Sequence, residues 1–362
     1  MALFPLPHRG RGQGEGGGRT SPFDLAPAFL AHLRAELHAP DLSYAASPAA
    51  LSGGFDTRIF SFRLRGAPDA WSGSLILRVM NPAHDPLRAL RERAIQNTLA
   101  AQGYPVPRVL TACADRAPLG AGFLVMERAT GRPLLGDRVL GVSATLADAQ
   151  ARLHALDAEP VLRALDDEGR ASGGGFDRGV VGYEGYLSAL DRRIRRAELN
   201  GLAPGLRWLR DRRPAAGPRV ICHGDFHPQN LLAERGRVTA VLDWPNTLVA
   251  APECDVAATL VILRLTPIGV LPMPVALRPL VGLLRPIMTT RYLARYRRAR
   301  PLDPARLAYY EAGACMRGLV RAAEARHSGD TNPLDASSFG ERLAARFARL
   351  TGVPVALPPS RG

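Results

Sequence analysis

The stretch whose reading decides the fold is ICHGDFHPQN at residues 221–230, followed by VLDWPN at residues 241–246. Each half is a short apolar run that leads to an aspartate, Asp225 in the first and Asp243 in the second. Asn230 stands five residues after Asp225, and Asp243 stands 18 after it. Phosphoryl transfer asks a protein for few parts: a carboxylate to receive the acceptor hydroxyl's proton, and hard oxygen ligands for magnesium. Asp225 is therefore the candidate catalytic base, and Asn230 and Asp243 are the candidate Mg2+ ligands in a sparse, partly hydrated shell. The same residues allow a rival. His223, Asp225 and His227 alternate as they would on one strand face, and could bind zinc in a metal-dependent hydrolase whose nucleophile is the metal-bound water. That rival leaves Asn230, Asp243 and everything upstream without a role.

Working outward, LSGGFDTRIFSFRL at residues 51–64 pairs Gly53 and Gly54 with an alternating run and reads as strand, turn, strand. SLILRVM at residues 74–80 predicts a further strand, and residues 86–102 a helix closed by Gly103. GFLVMER at residues 122–128 is another apolar strand, with TGRPL after it as a connector, and residues 26–37 have helical spacing. Beyond residue 143 the pattern turns helical, over residues 147–156, 185–199, 291–299, 304–326 and 338–350. Strands over residues 219–223 and 239–243, with a turn at 234–237, interrupt it. Residues 168–178, which contain SGGG, read as a mobile loop. His154 sits in an apolar helical pattern and reads as a core histidine, Trp244 as packing, and His227 as packing within its loop.

HGDFHPQN followed by VLDW resembles the catalytic loop and metal-binding aspartate of the aminoglycoside phosphotransferase and choline kinase-like superfamily, distant relatives of protein kinases. The resemblance implies an α+β, protein-kinase-like fold of two lobes. The small N-terminal lobe would hold an antiparallel sheet and one helix, and the larger C-terminal lobe would be mostly helical. Residues 1–23 would form a flexible tail, 24–128 the nucleotide-binding lobe, and 129–355 the catalytic and acceptor-binding lobe. By position, Asp225 matches the family's catalytic base, Asn230 and Asp243 its metal ligands, and His223 the residue that braces the loop. Gly53 and Gly54 match the loop that covers the phosphates. Arg78 stands where the family usually presents a phosphate-contacting lysine, and Glu92 matches the helix glutamate that pairs with that cation. Met126, Glu127 and Arg128 fall in the strand whose backbone binds adenine, and Asp255, in PECDVA, is expected to be structural. The implied reaction moves the γ-phosphoryl group of ATP or GTP, with Mg2+, to a hydroxyl of a small molecule. Arg78 in place of lysine and the sparse glycines motivate one further alternative, a nucleotide-binding pseudoenzyme.

Composition narrows the partners. The chain has 362 residues, 46% hydrophobic and 22% charged, enough to fill two cores. All 47 of its basic residues are arginine, and against 33 acids they give a net charge of +14. The arginines are scattered, no aromatic-interleaved basic repeat appears, and the absence of lysine fits GC-rich coding. No nucleic-acid partner is expected. Cys113, Cys222, Cys254 and Cys315 lie far apart without a CxxC pair, and the first residues carry prolines and glycines where a signal peptide needs an apolar run. Both fit a cytoplasmic protein, monomeric or homodimeric. The apolar stretch over residues 256–288 is broken by Arg264, Arg278, Arg285 and prolines, and so reads as core or pocket wall rather than a stable membrane insertion. Residues 256–302 hold no acid and eight arginines, among them Arg291 and Arg295, which suggests a basic acceptor wall and disfavours a polycationic aminoglycoside.

Overall fold

The six residues LILRVM explain how the front of the chain is built, because a strand sends alternate side chains to opposite faces. In the computed structural model, which describes residues 22–51, 57–136, 141–215, 217–270, 275, 278–328 and 338–359, they form β3 (Leu75–Met80), buried at every position. Leu75, Leu77 and Val79 join one core with Phe29, Leu33, Phe62 and Phe123. Ile76 and Met80 join another with Ala89 and Leu124. Arg78 has the parity of the second face.

β3 is the middle of a five-stranded antiparallel sheet in the order β1-β2-β3-β5-β4, with β1 (Ser43–Leu51), β2 (Thr57–Arg65), β4 (Val109–Cys113) and β5 (Phe123–Glu127). Helix α1 (Pro22–Glu36) packs on the first face, where the Phe29 ring meets Phe62 and Phe123 edge-on at 5.2 and 5.9 Å. Burying each such ring contributes about 2–3 kcal/mol. Helix α2 (Arg88–Ala101) covers the second face through Ala89. It stops as the sequence predicts: the N–H groups of Gly103 and Tyr104 turn back to the carbonyls of Ala100 and Leu99 at 2.9 and 3.0 Å. Strand β4 was not expected. Gly53 and Gly54 lie outside the described residues, as does nearly all of the expected tail, since α1 already begins at Pro22.

The chain divides into two compact units, one running to Thr130 and including Asp167–Gly175, the other comprising Gly131–Asp166 and everything from Phe176 on. The second unit carries β6 (Arg132–Pro133), α3 (Val142–Leu153), α4 (Glu159–Ala171, its last turn counted with the first unit), α5 (Tyr183–Arg196) and α6 (Ala203–Asp211). Next come β7 (Val220–Cys222), β8 (Leu231–Glu234), β9 (Arg237–Val241), β10 (Leu248–Ala250), α7 (Pro252–Leu265), α8 (Arg278–Ala299), α9 (Pro304–Ser328) and α10 (Phe339–Thr351). Strand β7 pairs with β10, while β8 lies between β6 and β9. The two expected strands thus belong to different sheets, and the unexpected β8 supplies the partner of β9.

Two expectations need correction. Residues 168–171 are helical rather than loop, because Arg93 grips Glu168 through two hydrogen bonds of 2.6 and 3.2 Å and holds the last turn of α4. The stretch 256–288 is core only in its first part. Val256, Ala257 and Leu260 of α7 are fully buried, whereas Leu280, Leu283 and Ile287 of α8 are 52%, 74% and 48% exposed. Among the described residues no helix is long and apolar enough to cross a membrane.

Candidate active site

Strand β7 ends at Cys222, and the chain turns away at once. Gly224 has φ +77°, and a Cβ there would lie 2.3 Å from the Asn246 carbonyl oxygen, so only glycine fits this turn. His223 is buried and uses both ring nitrogens. Its Nε2 donates to the Leu242 carbonyl at 2.9 Å, and its Nδ1 accepts the Asp225 N–H at 3.2 Å. Burial lowers its pKa against the pull of Asp255 and Asp225, consistent with a neutral ring donating from Nε2. His223 therefore ties the loop bearing Asp225 to the loop bearing Asp243, the bracing role its position implied. It also leaves neither nitrogen for zinc, and the three residues of the hydrolase alternative lie past the end of β7, on a loop rather than a strand face.

What holds this loop is a buried polar network from three helices, each giving a pair of residues four apart. Asp255 of α7 accepts the Gly224 N–H at 2.7 Å on Oδ1, and on Oδ2 it meets Gln150 Nε2 at 2.9 Å and His154 Nε2 at 3.0 Å, both from α3. Thr259 donates to the Phe226 carbonyl at 2.9 Å. From α8, Tyr296 is hydrogen-bonded to His154 Nδ1 at 2.5 Å, and the Tyr292 hydroxyl donates to Gln150 Oε1. Desolvation pushes the Asp255 pKa up, but His154, His223 and Gln150 outweigh it and hold the carboxyl below its ordinary value. A buried carboxylate with this many donors is satisfied, which makes the network a brace for the loop rather than a strained site.

Asp225 itself is 29% exposed. Its carboxylate has His227 Nε2 at 3.7 Å on Oδ2 and Arg317 Nη2 at 3.9 Å on Oδ1. Desolvation raises its pKa, yet His227, Arg317 and His223 together hold it well below the usual carboxylate range. Asn230 closes the loop by donating from Nδ2 to the Asp225 carbonyl at 3.0 Å, which leaves Oδ1 as its outward-facing polar atom. Asp243 follows β9 with φ +68°, a left-handed conformation that costs a non-glycine residue about 1 kcal/mol or more and is typical of functional positions. Trp244 is fully buried beside it, its indole N–H on the Val241 carbonyl at 2.9 Å, as packing predicts. An amide oxygen and a carboxylate form a hard-oxygen donor pair, so Asn230 and Asp243 fit Mg2+.

In the first unit, Arg78 Nη1 meets Glu92 Oε2 at 2.8 Å, with both side chains buried. Strand parity sends Arg78 to the face that α2 covers, and Arg88 flanks the same glutamate at 3.4 Å. At the end of β5, Met126 is buried in the sheet, while the N–H groups of Glu127 and Arg128 donate to the carbonyls of Arg108 and Ser74 at 3.0 Å each. Those two donors are spent on the protein, so any base recognition there must use other groups.

Sequence reasoning missed Arg317, Gln150, Thr259, Tyr292 and Tyr296. The four network members carried a usable signal, polar pairs four apart on otherwise apolar helices; Arg317, on α9, had none. The expected basic wall needs correction. Arg264 pairs with Glu311 at 3.4 Å, Arg295 with Asp148 at 2.7 Å, and Arg285 donates to the Arg264 carbonyl. The acids that could have faced an aminoglycoside are likewise engaged: Asp166 with Arg178, Glu184 with Arg213, Asp191 with Arg195 and Arg210.

Known proteins share this arrangement to different extents. Acyl-CoA dehydrogenase family member 11 of Gallus gallus is 31% identical over 179 residues, 46% of this chain but only 22% of that protein. The chain thus spans about a fifth of that relative's length. Aminoglycoside 3'-phosphotransferase of Streptomyces fradiae is 30% identical over 217 residues, 58% of this chain and 72% of that enzyme. A thermostable mutant of aminoglycoside phosphotransferase APH(4)-Ia, solved as a ternary complex with ADP and hygromycin B, shares the fold. It superposes with a TM-score of 0.55 at 18% identity over 90% of this chain and 98% of its own. A sheet-bearing first unit, a mostly helical second one, and a matched stretch that holds every residue of the loops above leave one conclusion. The model of the phosphotransferase enzyme family matches residues 49–302, well over half the chain, and the protein belongs to that family, within the protein-kinase-like superfamily.

Proposed function

We propose that the protein transfers the γ-phosphoryl group of ATP or GTP to a hydroxyl of a small molecule. The observation that carries this reading is the coupling of the two aspartate loops through His223, which keeps a partly exposed carboxylate, Asp225, in fixed register with the oxygen donors Asn230 and Asp243. Asp225 orients the acceptor hydroxyl and takes its proton as the oxygen attacks. A bond forms from that oxygen to the γ-phosphorus, the bond from phosphorus to the bridging oxygen breaks, and the nucleoside diphosphate leaves. Since its neighbours keep Asp225 ionised, it is poised as a hydrogen-bond acceptor at every ordinary assay pH. Magnesium, held by Asn230 and Asp243, would neutralise charge on the phosphates. Arg78, oriented by Glu92, would supply a bidentate grip where the family commonly has lysine.

Family membership supports a phosphotransferase, and the complex of a fold relative with ADP and hygromycin B supports nucleotide and small-molecule use. Most of the acyl-CoA dehydrogenase relative lies outside the match, so its name adds nothing to this reading. The test is the melting temperature with Mg-ATP and Mg-GTP, for the wild type and Asp243→Ala. A magnesium-dependent rise that the variant loses supports the reading; a rise with zinc alone, lost on changing His227, would replace it with the hydrolase.

A further inference from the structure

Within the second unit a hollow opens beside the loop of Asp225. It encloses about 290 Å3 of open space, solvent mouth included, and its wall contains Gly224, Gly313, Arg317 and the rings of Tyr183, Tyr186 and Tyr310. No acidic side chain is among the described residues that line it. Three features give it a chemical preference. Arg317 presents five N–H donors, and apart from Asp225 at 3.9 Å it has no ion pair or hydrogen bond among the described residues. The buried Tyr183 hydroxyl makes no hydrogen bond of ordinary geometry among the described residues. It lies 2.6 Å from where a Cβ on Gly313 would sit, so the glycine leaves room for a polar atom at the wall. The remaining surface is aromatic.

We propose that this hollow receives an acceptor carrying a carboxylate close to the hydroxyl that is phosphorylated, with Arg317 as the residue that selects it. The proposal rests on the phosphotransferase reading and names its substrate class. The guanidinium fork takes a carboxylate through two parallel hydrogen bonds, and the same group, beside Asp225, sets the hydroxyl against the base. Tyrosine rings take the apolar body, and the Tyr183 hydroxyl offers one further donor. A polycation would meet a guanidinium and no carboxylate wall. A phosphate monoester would bring two negative charges toward Asp225, where a carboxylate brings one, and Arg317 carries only a single positive charge.

The experiment has a binding arm and a turnover arm. In the first, aliphatic and aromatic hydroxycarboxylates, their methyl esters, glycerol phosphate and kanamycin are titrated against the nucleotide-free protein by calorimetry. In the second, nucleoside diphosphate release with Mg-ATP gives kcat/KM for the same compounds. Each arm is run on the wild type, Arg317→Met and Arg317→Lys, with circular dichroism to establish that the variants fold. The expected result is a carboxylate-over-ester preference of about tenfold in the wild type, lost in Arg317→Met and partly kept in Arg317→Lys. Esters, glycerol phosphate or kanamycin performing as well as the carboxylates, or a preference that survives Arg317→Met, overturns the proposal. Arg317-dependent carboxylate binding without any nucleotide effect on melting upholds the hollow and sinks the phosphotransferase reading. Magnesium-nucleotide binding with no carboxylate preference sinks only the hollow.

Discussion

Arg78 and the loop at residues 223–230 are held in opposite ways. In the first unit a single buried partner, Glu92, lies 14 residues away, and both ends of the pair follow from local regularity, a strand's parity and one face of α2. In the second unit the loop leans on a network whose members lie up to 142 residues apart. The first arrangement positions one cation and could be rebuilt by changing two residues. The second ties the loop's backbone to three helices at once, so the loop can be misplaced from many points far from its chemistry.

The sharpest separation of chemistry from support is Asp225→Asn. Its side chain belongs to no buried pair, so kcat should fall about a thousandfold while the urea midpoint moves little. A large loss of stability would erase the distinction between the loop and its brace. Asp255→Ala should do the reverse of sparing the fold. It strands the Gly224 N–H, Gln150 and His154 together, and should cost about 3–5 kcal/mol in urea unfolding. Arg78→Met leaves Glu92 buried beside a more distant Arg88 and should cost about 3 kcal/mol, confined to the first unit. Arg78→Lys should keep most of that stability and weaken nucleotide binding by less than tenfold, because the charge survives but the fork does not. If Arg78→Met proves no more harmful than Arg78→Lys, the pair does not hold the face of the sheet as described.

The smallest effect concerns pH. The folded His223 has a pKa below its unfolded value, so between the two the unfolded chain binds more protons. Stability should therefore fall as pH drops below about 6.5, by at most about 1.4 kcal/mol per unit. Above that pH this contribution is constant. A flat profile from pH 7 to 5 in thermal melts would show that the ring is accessible to protonation without loss of its bonds to Leu242 and Asp225.

How much of this was legible in the sequence follows the same division. Strand β3, helix α2, the Gly103 stop and the Arg78–Glu92 pair obey short-range rules, and both loops could be read from the residues at 223–230 and 241–246. Helix α7 could not, because its residues from Val256 to Val261 are all buried and leave no polar side to set a period. Helix α6 hid behind Pro204 and Gly205, although Pro in a first turn is compatible with a helix, and the glycine is where Met316 and Phe347 come close. Helix α8 was expected only from residue 291 because Pro286 interrupts its pattern. Arg317 reaches Asp225 only through the packing of α9, a relation that no spacing along the chain expresses.

A chain whose 47 basic residues are all arginine also has no ε-amine to offer a reagent. Acyl-phosphate nucleotide probes, which mark nucleotide-binding enzymes by acylating a lysine beside the phosphates, would find at Arg78 a guanidinium engaged by Glu92 instead. A nucleotide-binding survey built on that chemistry would pass over this protein even with its site fully occupied, and photo-crosslinking nucleotides are the reagents suited to it.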